Sequence, residues 1–302
     1  MKRIGLLFDD ESNTYQQQLV ADARSAARQH GLEILEPRFA AASGMQQIGQ
    51  CYELVREDPK PNGALLLLVA PDDMRTCIEM LARAGVDCVF LNRVPEYLPS
   101  SREQFPERLF AWVAPDQAEI GRIQGRQCLR LLPRGGSVVM IRGARSSPST
   151  SNRESGFREV VGDSVSIDVI SGGWQAARAE KALHDWFFFR AGRASTLDLV
   201  VCHNDAMAQG ARRALRRRSA DEGVAELAAV PILGCDGRPE EGVEMVRQGE
   251  LTATVVMPST SSRAVEILSA YWSERQMAGG ETLLPSSLPP VDDLQPRTRA
   301  TT

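Results

Sequence analysis

Short apolar runs rich in β-branched residues alternate with longer segments of helical period along most of these 302 residues. That alternation predicts an α/β fold built from two doubly wound parallel sheets. Three observations carry the expectation. The runs are near-continuously apolar, as in parallel strands covered by helices on both faces. There are ten or more of them, too many for one ordinary open sheet. The length also matches about two average domains. A (β/α)₈ barrel is the structural rival, and its strand count fits less well.

In chain order, the strand candidates are 4–8 (IGLLF), 32–35 (LEIL), 64–69 (ALLLLV), 86–91 (VDCVFL) and 109–113 (LFAWV). They continue with 137–141 (SVVMI), 165–170 (VSIDVI), 197–202 (LDLVVC), 231–233 (PIL) and 253–256 (ATVV). The segments between them carry apolar residues on one helical face. Leu19, Val20, Ala23, Ala26 and Ala27 form one such stripe, and Ala264, Ile267, Leu268, Tyr271 and Trp272 another. Residues 283–293, rich in Pro, Ser and Leu, read as a final extended segment, and 296–302 as a polar, mobile tail. No internal repeat or long linker interrupts the pattern, so two domains must be joined by short crossings.

Composition excludes several classes of function. The 35 basic and 39 acidic residues leave a net charge of −4, without the basic face that nucleic-acid binding needs. The longest apolar run, 64–70, has seven residues, too short to cross a membrane as a helix. The start, MKRIGLLF followed at once by Asp9, Asp10 and Glu11, lacks the apolar stretch and cleavage site of a secretory leader. The chain as written is therefore expected in the cytoplasm, or in the periplasm if a leader has been removed. Six scattered cysteines and three histidines, with no C-x-x-C pair, predict buried free thiols, no metal centre and no cofactor. P-loop, dinucleotide, nucleophile-elbow and zincin motifs are all missing, so the chain is not expected to be an enzyme.

In open parallel sheets, ligands bind beyond the carboxyl ends of the strands. The informative residues are therefore the polar ones that follow each apolar run. Residues 9–15 (DDESNTY), Asn92 with Arg93, Asp116, Asn152 with Arg153, His203-Asn204-Asp205 and 234–237 (GCDG) all occupy such places. Amides, carboxylates and guanidinium groups suit a polyhydroxyl ligand, because each hydroxyl both donates and accepts. Each of these residues taken singly also suits a helix N-cap. Asp205 before Ala-Met-Ala and Asp116 before the Ile120 helix suit it best.

Segment 201–215 (VCHNDAMAQGARRAL) resembles the NDxMAxGAxxAL signature of type I periplasmic sugar-binding proteins, which lactose-repressor-type effector domains share. Segment 232–237 (ILGCDG) resembles their VGFDG strand end, 249–255 (GELTATV) their GxLTATV crossing, 152–157 (NRESGF) their xRxxGF and 91–93 (LNR) their LDR. These occur in the family's order across about residues 3–270. The resemblance implies two Rossmann-like lobes joined by three hinge crossings, near 114–116, 256–258 and 283–287, with the ligand enclosed by hinge closure. It divides the chain into an N-terminal lobe of 1–114 plus 258–282, a C-terminal lobe of 115–257 plus 283–295, and the tail 296–302.

Carried over by position, the resemblance implies that Asn13 and Tyr15 supply a polar contact and an aromatic stacker. Asn92 and Arg93 take the Asp-Arg pair, Arg153 the second arginine, Asn204 the amide and Asp236 the hinge-side carboxylate. The sequence also departs from the family. Gln16 stands where many sugar binders have a second aromatic, Cys235 where they have Phe, Met257 where they have Gln, and Asn92 where they have Asp. His203 either compensates for the lost hydrogen bonding or is an ordinary packed residue, and Trp174 lines either the cleft or the core. The basic run Arg212-Arg213 and 216–218 reads as a solvated helix C-terminus. The implied partners are a sugar-like or polyol-like small molecule, and an ABC transporter permease or a regulatory protein. With the first strand at residue 4, no helix-turn-helix precedes it, so direct contact with nucleic acid is not expected.

Overall fold

The computed structural model describes residues 1–145, 147–189 and 197–297. The chain divides into two compact units, Met1–Pro115 with Pro258–Leu283 and Asp116–Met257 with Leu284–Thr302, and passes from one to the other three times.

Unit 1 begins with β1 (Arg3–Phe8), α1 (Thr14–Gln29), β2 (Glu33–Ile34), β3 (Arg38–Phe39), α2 (Gly44–Arg56) and β4 (Gly63–Leu66). It continues with α3 (Arg75–Arg83), β5 (Asp87–Leu91), α4 (Leu98–Gln104) and β6 (Phe110–Pro115). The chain then builds most of unit 2 from α5 (Gln117–Leu131), β7 (Ser137–Arg142), α6 (Pro148–Val161), β8 (Ser166–Ser171) and α7 (Ala176–Phe189). After these come β9 (Leu199–Cys202), α8 (Asp205–Glu222), α9 (Ala225–Ala228), β10 (Ile232–Leu233), α10 (Glu244–Arg247) and β11 (Thr254–Val256). It returns to unit 1 for α11 (Thr260–Glu274) and β12 (Glu281–Leu283), and adds β13 (Ser286–Leu288) to unit 2.

The unit 1 sheet runs β12-β6-β5-β4-β1-β2, with β3 also on β1, and every pair is parallel. The chain moves from β1 to β2 on one side and then to β4 on the other, so strand order reverses between β1 and β4. The unit 2 sheet runs β10-β9-β7-β8, all parallel, and its order reverses between β7 and β9. These two reversals are where an open α/β sheet offers a crevice.

All ten strand candidates coincide with strands, within three residues at each end. The short pair Arg38–Phe39 is additional. One ladder departs from the parallel expectation: β11 and β13 pair antiparallel, with Val255 opposite Ser287. The extended reading of 283–293 covers only β13 and the end of β12; β12 itself adds to the unit 1 sheet beside β6.

Each helix face follows from its apolar spacing. In α1 the predicted stripe Leu19, Val20, Ala23, Ala26 and Ala27 is buried and packs with the predicted stripe of α11 over the β1-β4-β5 face. Trp272 is only partly buried, and its Nε1 donates to Asp87 Oδ2 at 2.7 Å. In unit 2, α5 and α6 touch through glycines. A Cβ on Gly121 would lie 2.0 Å from the Arg153 carbonyl, and one on Gly156 would lie 2.1 Å from the Ala118 carbonyl.

Within the helical basic run, Arg213, Arg216 and Arg217 are exposed, and Arg212 alone departs from the solvated reading. Helix α8 continues to Glu222, where Gly223 at φ 69° ends it. Arg212 is buried, with Nε donating to the Glu250 carbonyl at 2.8 Å and Nη1 to the Ala228 carbonyl at 2.7 Å. The remaining arginines pair with Glu180, Glu250, Asp221 and Glu222. The tail is anchored at its start, since the Arg297 amide donates to the Leu131 carbonyl at 2.9 Å. Residues 298–302 lie outside the described residues. All six cysteines are free and buried.

Candidate functional site

Polar side chains gather at the strand reversal of each unit, and each cluster is built from within its own unit. In unit 1, β1 ends at Phe8 and the turn that follows leads into α1, capped by Asn13, whose Oδ1 accepts the Gln16 amide at 3.2 Å. Gln16 is buried, and its Oε1 accepts the amides of Asp9 and Asp10 at 2.8 and 3.1 Å. Its carbonyl therefore shapes the turn. Beyond β5, Asn92 adopts φ 63°, a left-handed conformation that an Asn tolerates better than most residues. That turn carries its side chain to Tyr15, with Nδ2 donating to the phenol oxygen at 3.1 Å.

Arg93 spends one nitrogen on the carbonyls of Leu68 and Val69, at 2.6 and 3.1 Å, just past β4. Another lies 3.6 Å from Asp9 Oδ2. Arg93 thereby ties the ends of β1 and β4 together at the reversal. Burial raises the Asp9 pKa, Arg93 opposes that rise, and Asp10 adds to it. Four of the expected residues, Asn13, Tyr15, Gln16 and Asn92, thus meet Arg93 at one end of one sheet, and Asp9 joins them.

In unit 2 the centre is Arg153, 4% exposed on the second turn of α6. Its Nε donates to Gln117 Oε1 at 2.8 Å, its Nη1 to the His203 carbonyl just past β9, and its Nη2 faces Met257 Sδ at 3.5 Å. The guanidinium also sits 5.5 Å from the ring centroid of Trp174. Trp174, half-buried at φ 69°, packs on Gly143, where a Cβ would meet the indole at 2.1 Å. The indole and the His203 ring are 6.3 Å apart.

His203 is fully buried. Its Nδ1 faces the Gly143 amide at 3.5 Å, and its Nε2 has no hydrogen-bond partner among the described residues. Burial pushes its pKa down to about 3, with Arg153 and Arg142 adding to the shift. It is therefore a neutral imidazole at every physiological pH.

Asn204 caps α8, its Oδ1 accepting the Met207 amide at 2.9 Å, while its Nδ2 donates to the Trp174 carbonyl at 3.2 Å. The cap expected of Asp205 thus belongs to its neighbour. Asp205 is instead the first residue of the helix, and its buried carboxylate accepts the Gly237 amide at 2.8 Å and the Thr254 hydroxyl at 2.7 Å. Asp116, by contrast, caps α5 as expected.

The Gly237 contact holds the turn after β10, in which Asp236 adopts φ 113°. Burial raises the Asp236 pKa to about 7. Arg153 opposes the rise, Glu241 adds to it and Arg238 opposes it. Asp205 is raised well above the ordinary range by burial and by the adjacent Asp236. Two buried carboxylates side by side cannot both ionise cheaply.

The expected set therefore resolves into two groups, one per unit. Arg153, Asn204, Asp236 and Met257 come together in the second. Sequence reasoning missed Gln117, which orients Arg153, and the role of Asp205 behind Asp236. Neither carries a local signal, because Gln117 and Arg153 are 36 residues apart and Asp205 and Thr254 are 49 apart. Among the described residues, no group of three or more His, Cys, Asp or Glu could hold a metal ion. No described helix is long and apolar enough to cross a membrane.

Two parallel α/β units, three chain crossings and polar groups at both strand reversals define the class of two-unit α/β binding folds. The chain belongs to the type I periplasmic binding protein family: the model of the periplasmic binding protein domain matches residues 4–275. The xylitol-binding protein of Mycolicibacterium smegmatis is 26% identical over 151 residues, 49% of this chain and 40% of that protein. A candidate rhizopine-binding protein of Rhizobium meliloti is 28% identical over 200 residues, 64% of this chain and 59% of that one. The chain thus spans about 40 to 60% of the length of these curated relatives.

Among solved structures, an ABC transporter periplasmic solute-binding protein from Actinobacillus succinogenes with bound D-allose superposes with a TM-score of 0.81. It is 18% identical and covers 95% of this chain and 97% of its own. The Caulobacter myo-inositol binding protein, bound to myo-inositol, gives 0.77 at 18% identity, covering 94% and 92%. At these identities the likeness is one of fold.

Proposed function

We propose that this protein binds a small polyhydroxyl ligand, a sugar or a polyol, as the substrate-binding component of a carbohydrate ABC transporter in the cell envelope. The observation that carries the reading is Arg153. It is a buried guanidinium already fixed by Gln117 and the His203 carbonyl, beside the neutral His203 imidazole, the Trp174 ring and the Asp236 carboxyl. Donors, acceptors and an aromatic face in one cluster match the alternating polar and C–H surfaces of a sugar ring. Relatives named for xylitol, and for D-galactose and methyl-galactoside, support the same ligand class.

In this reading Tyr15 and Asn92 are the candidate ligand-contacting side chains of unit 1. Binding rather than catalysis is the role that the relatives' names support. A thermal-shift screen of the purified protein against aldoses, ketoses, polyols, nucleosides and small acids tests the proposal. Ligand at a hundred times its dissociation constant adds about 2.7 kcal/mol, a shift of several degrees. A shift confined to sugars or polyols supports the reading, and one confined to nucleosides or acids overturns it. The transport role predicts loss of uptake of that same ligand when the gene is deleted.

A further inference from the structure

Two arginines are buried among the described residues, Arg153 at 4% exposure and Arg212 at 6%, both in unit 2. Arg212 is compensated, with Glu250 Oε2 4.0 Å from its Nε and three backbone carbonyls accepting from its nitrogens. Arg153 is not. Among the described residues, no carboxylate oxygen stands within ion-pairing distance of its guanidinium. Its oxygen acceptors, Gln117 Oε1 at 2.8 Å and the His203 carbonyl, are neutral, and so is the Trp174 ring, 5.5 Å away. Nη2 faces only the Met257 thioether at 3.5 Å, a weak acceptor. Arg142, by contrast, meets Glu154 Oε2 at 3.1 Å.

The groups around Arg153 are donors too. Thr150 precedes it by three residues, so the two share one face of α6. Thr150 is 2% exposed, and its Oγ1 has no hydrogen-bond partner among the described residues. Ser147 makes no side-chain cap bond, which leaves the positive end of the α6 dipole uncovered. His203, neutral and with Nδ1 towards the Gly143 amide, carries its hydrogen on the unpartnered Nε2. The Asp236 carboxyl, on which the Arg153 charge bears, is drawn towards its neutral form by burial and does not supply the missing anion.

We infer that Arg153 and Thr150 form an anion subsite, and that the ligand is an acidic polyhydroxyl compound, a sugar or polyol bearing a carboxylate. This names the ligand class within the binding role proposed above and rests on that role. A guanidinium held out of water without a counter-ion is costly, so the arrangement favours any ligand that brings the counter-ion with it. The carboxylate would accept from Nη2 and from the Thr150 hydroxyl, charge-assisted bonds that a neutral hydroxyl cannot match. One uncompensated positive charge also suits a carboxylate better than a phosphate ester, which carries nearly two negative charges at neutral pH.

The test is calorimetric titration of the full chain at neutral pH, in buffer free of phosphate and carboxylates. The probes are matched pairs that differ in the oxidation of one carbon: D-galacturonate and D-galactose, D-glucuronate and D-glucose, D-gluconate and D-glucitol. In a pair that binds, the acid should bind at least tenfold tighter than its neutral partner, about 1.4 kcal/mol. Thr150→Val removes a hydroxyl that no described protein group uses, so it should melt like wild type. It should nevertheless cut the advantage of the acid roughly threefold or more, with the affinity for the neutral partner unchanged. Arg153→Gln keeps a donor but loses the charge, and should bring the ratio of the two affinities to about one. Equal or tighter binding of the neutral members overturns the inference and leaves the sugar-binding role standing. Failure of all three pairs to bind also overturns it, while that role is then judged by the wider thermal-shift screen. An advantage of the acid that survives undiminished in both variants overturns it as well, because the charge is then read elsewhere.

Discussion

Replacing Arg153 by alanine removes two hydrogen bonds from a charged donor, to Gln117 and to the His203 carbonyl, and the cation held against Trp174. Each charge-assisted bond contributes roughly 1.5–3 kcal/mol, offset by the cost of keeping the guanidinium out of water. Loss of the Arg153 charge also leaves Asp236 without its strongest opposing cation, although that carboxyl can escape by taking a proton. A net loss of about 3 kcal/mol follows, or about 5 °C in melting temperature for a chain of 302 residues. Arg153 is therefore a brace as well as a candidate ligand contact, and Arg153→Ala cannot be read from affinity alone. Arg153→Lys keeps the charge while a single amine reaches fewer acceptors, so it should melt between wild type and Arg153→Ala. Both variants should weaken binding at least tenfold, about 1.4 kcal/mol, when titrated calorimetrically well below their melting temperatures. A melting temperature within 2 °C of wild type together with unchanged affinity would refute the reasoning. Destabilisation with full affinity would leave Arg153 a brace alone.

The raised pKa of Asp236 makes a signed prediction. Its proton is favoured in the folded state, so its contribution to stability is full below the ordinary carboxylate range and is lost as pH rises towards about 7. Asp236→Asn should flatten the melting profile between pH 4 and 7 and melt higher than wild type above pH 7, as differential scanning fluorimetry across that range would show. Gly156→Ala offers the usual gain of up to about 1 kcal/mol in helix propensity, yet its Cβ would meet the Ala118 carbonyl at 2.1 Å. Net destabilisation of about 1–3 kcal/mol is expected in urea unfolding, and a stabilised variant would contradict the α5–α6 contact. Tyr15→Phe removes the bond to Asn92 at a half-exposed site and should cost no more than about 1 kcal/mol. Any larger effect of that variant should appear in ligand affinity, measured by the same calorimetry.

The candidate site was legible in the sequence as a set of places rather than as a set of contacts. Polar residues following apolar runs located both clusters, because a parallel strand must surrender its polar groups where it leaves the sheet. What those residues do proved less local. Asn204 and Asp205 are adjacent, and either suits an N-cap, but the cap went to Asn204 because Thr254 and the Gly237 amide claim Asp205 from across the unit. Gln16 stands at a family ligand position, yet its carbonyl is held by the Asp9 and Asp10 amides.

The sequence by itself determined the order of strands and helices and the faces they bury. Apolar periodicity records which side of an element leaves water, and that is a property of neighbouring residues. Only the tertiary structure decided that β12 joins the unit 1 sheet while β13 pairs antiparallel in unit 2, and that Arg212 is an interior brace. Each of these depends on groups tens of residues apart being brought together, where burial raises the cost of an unpartnered polar atom and so selects the partner.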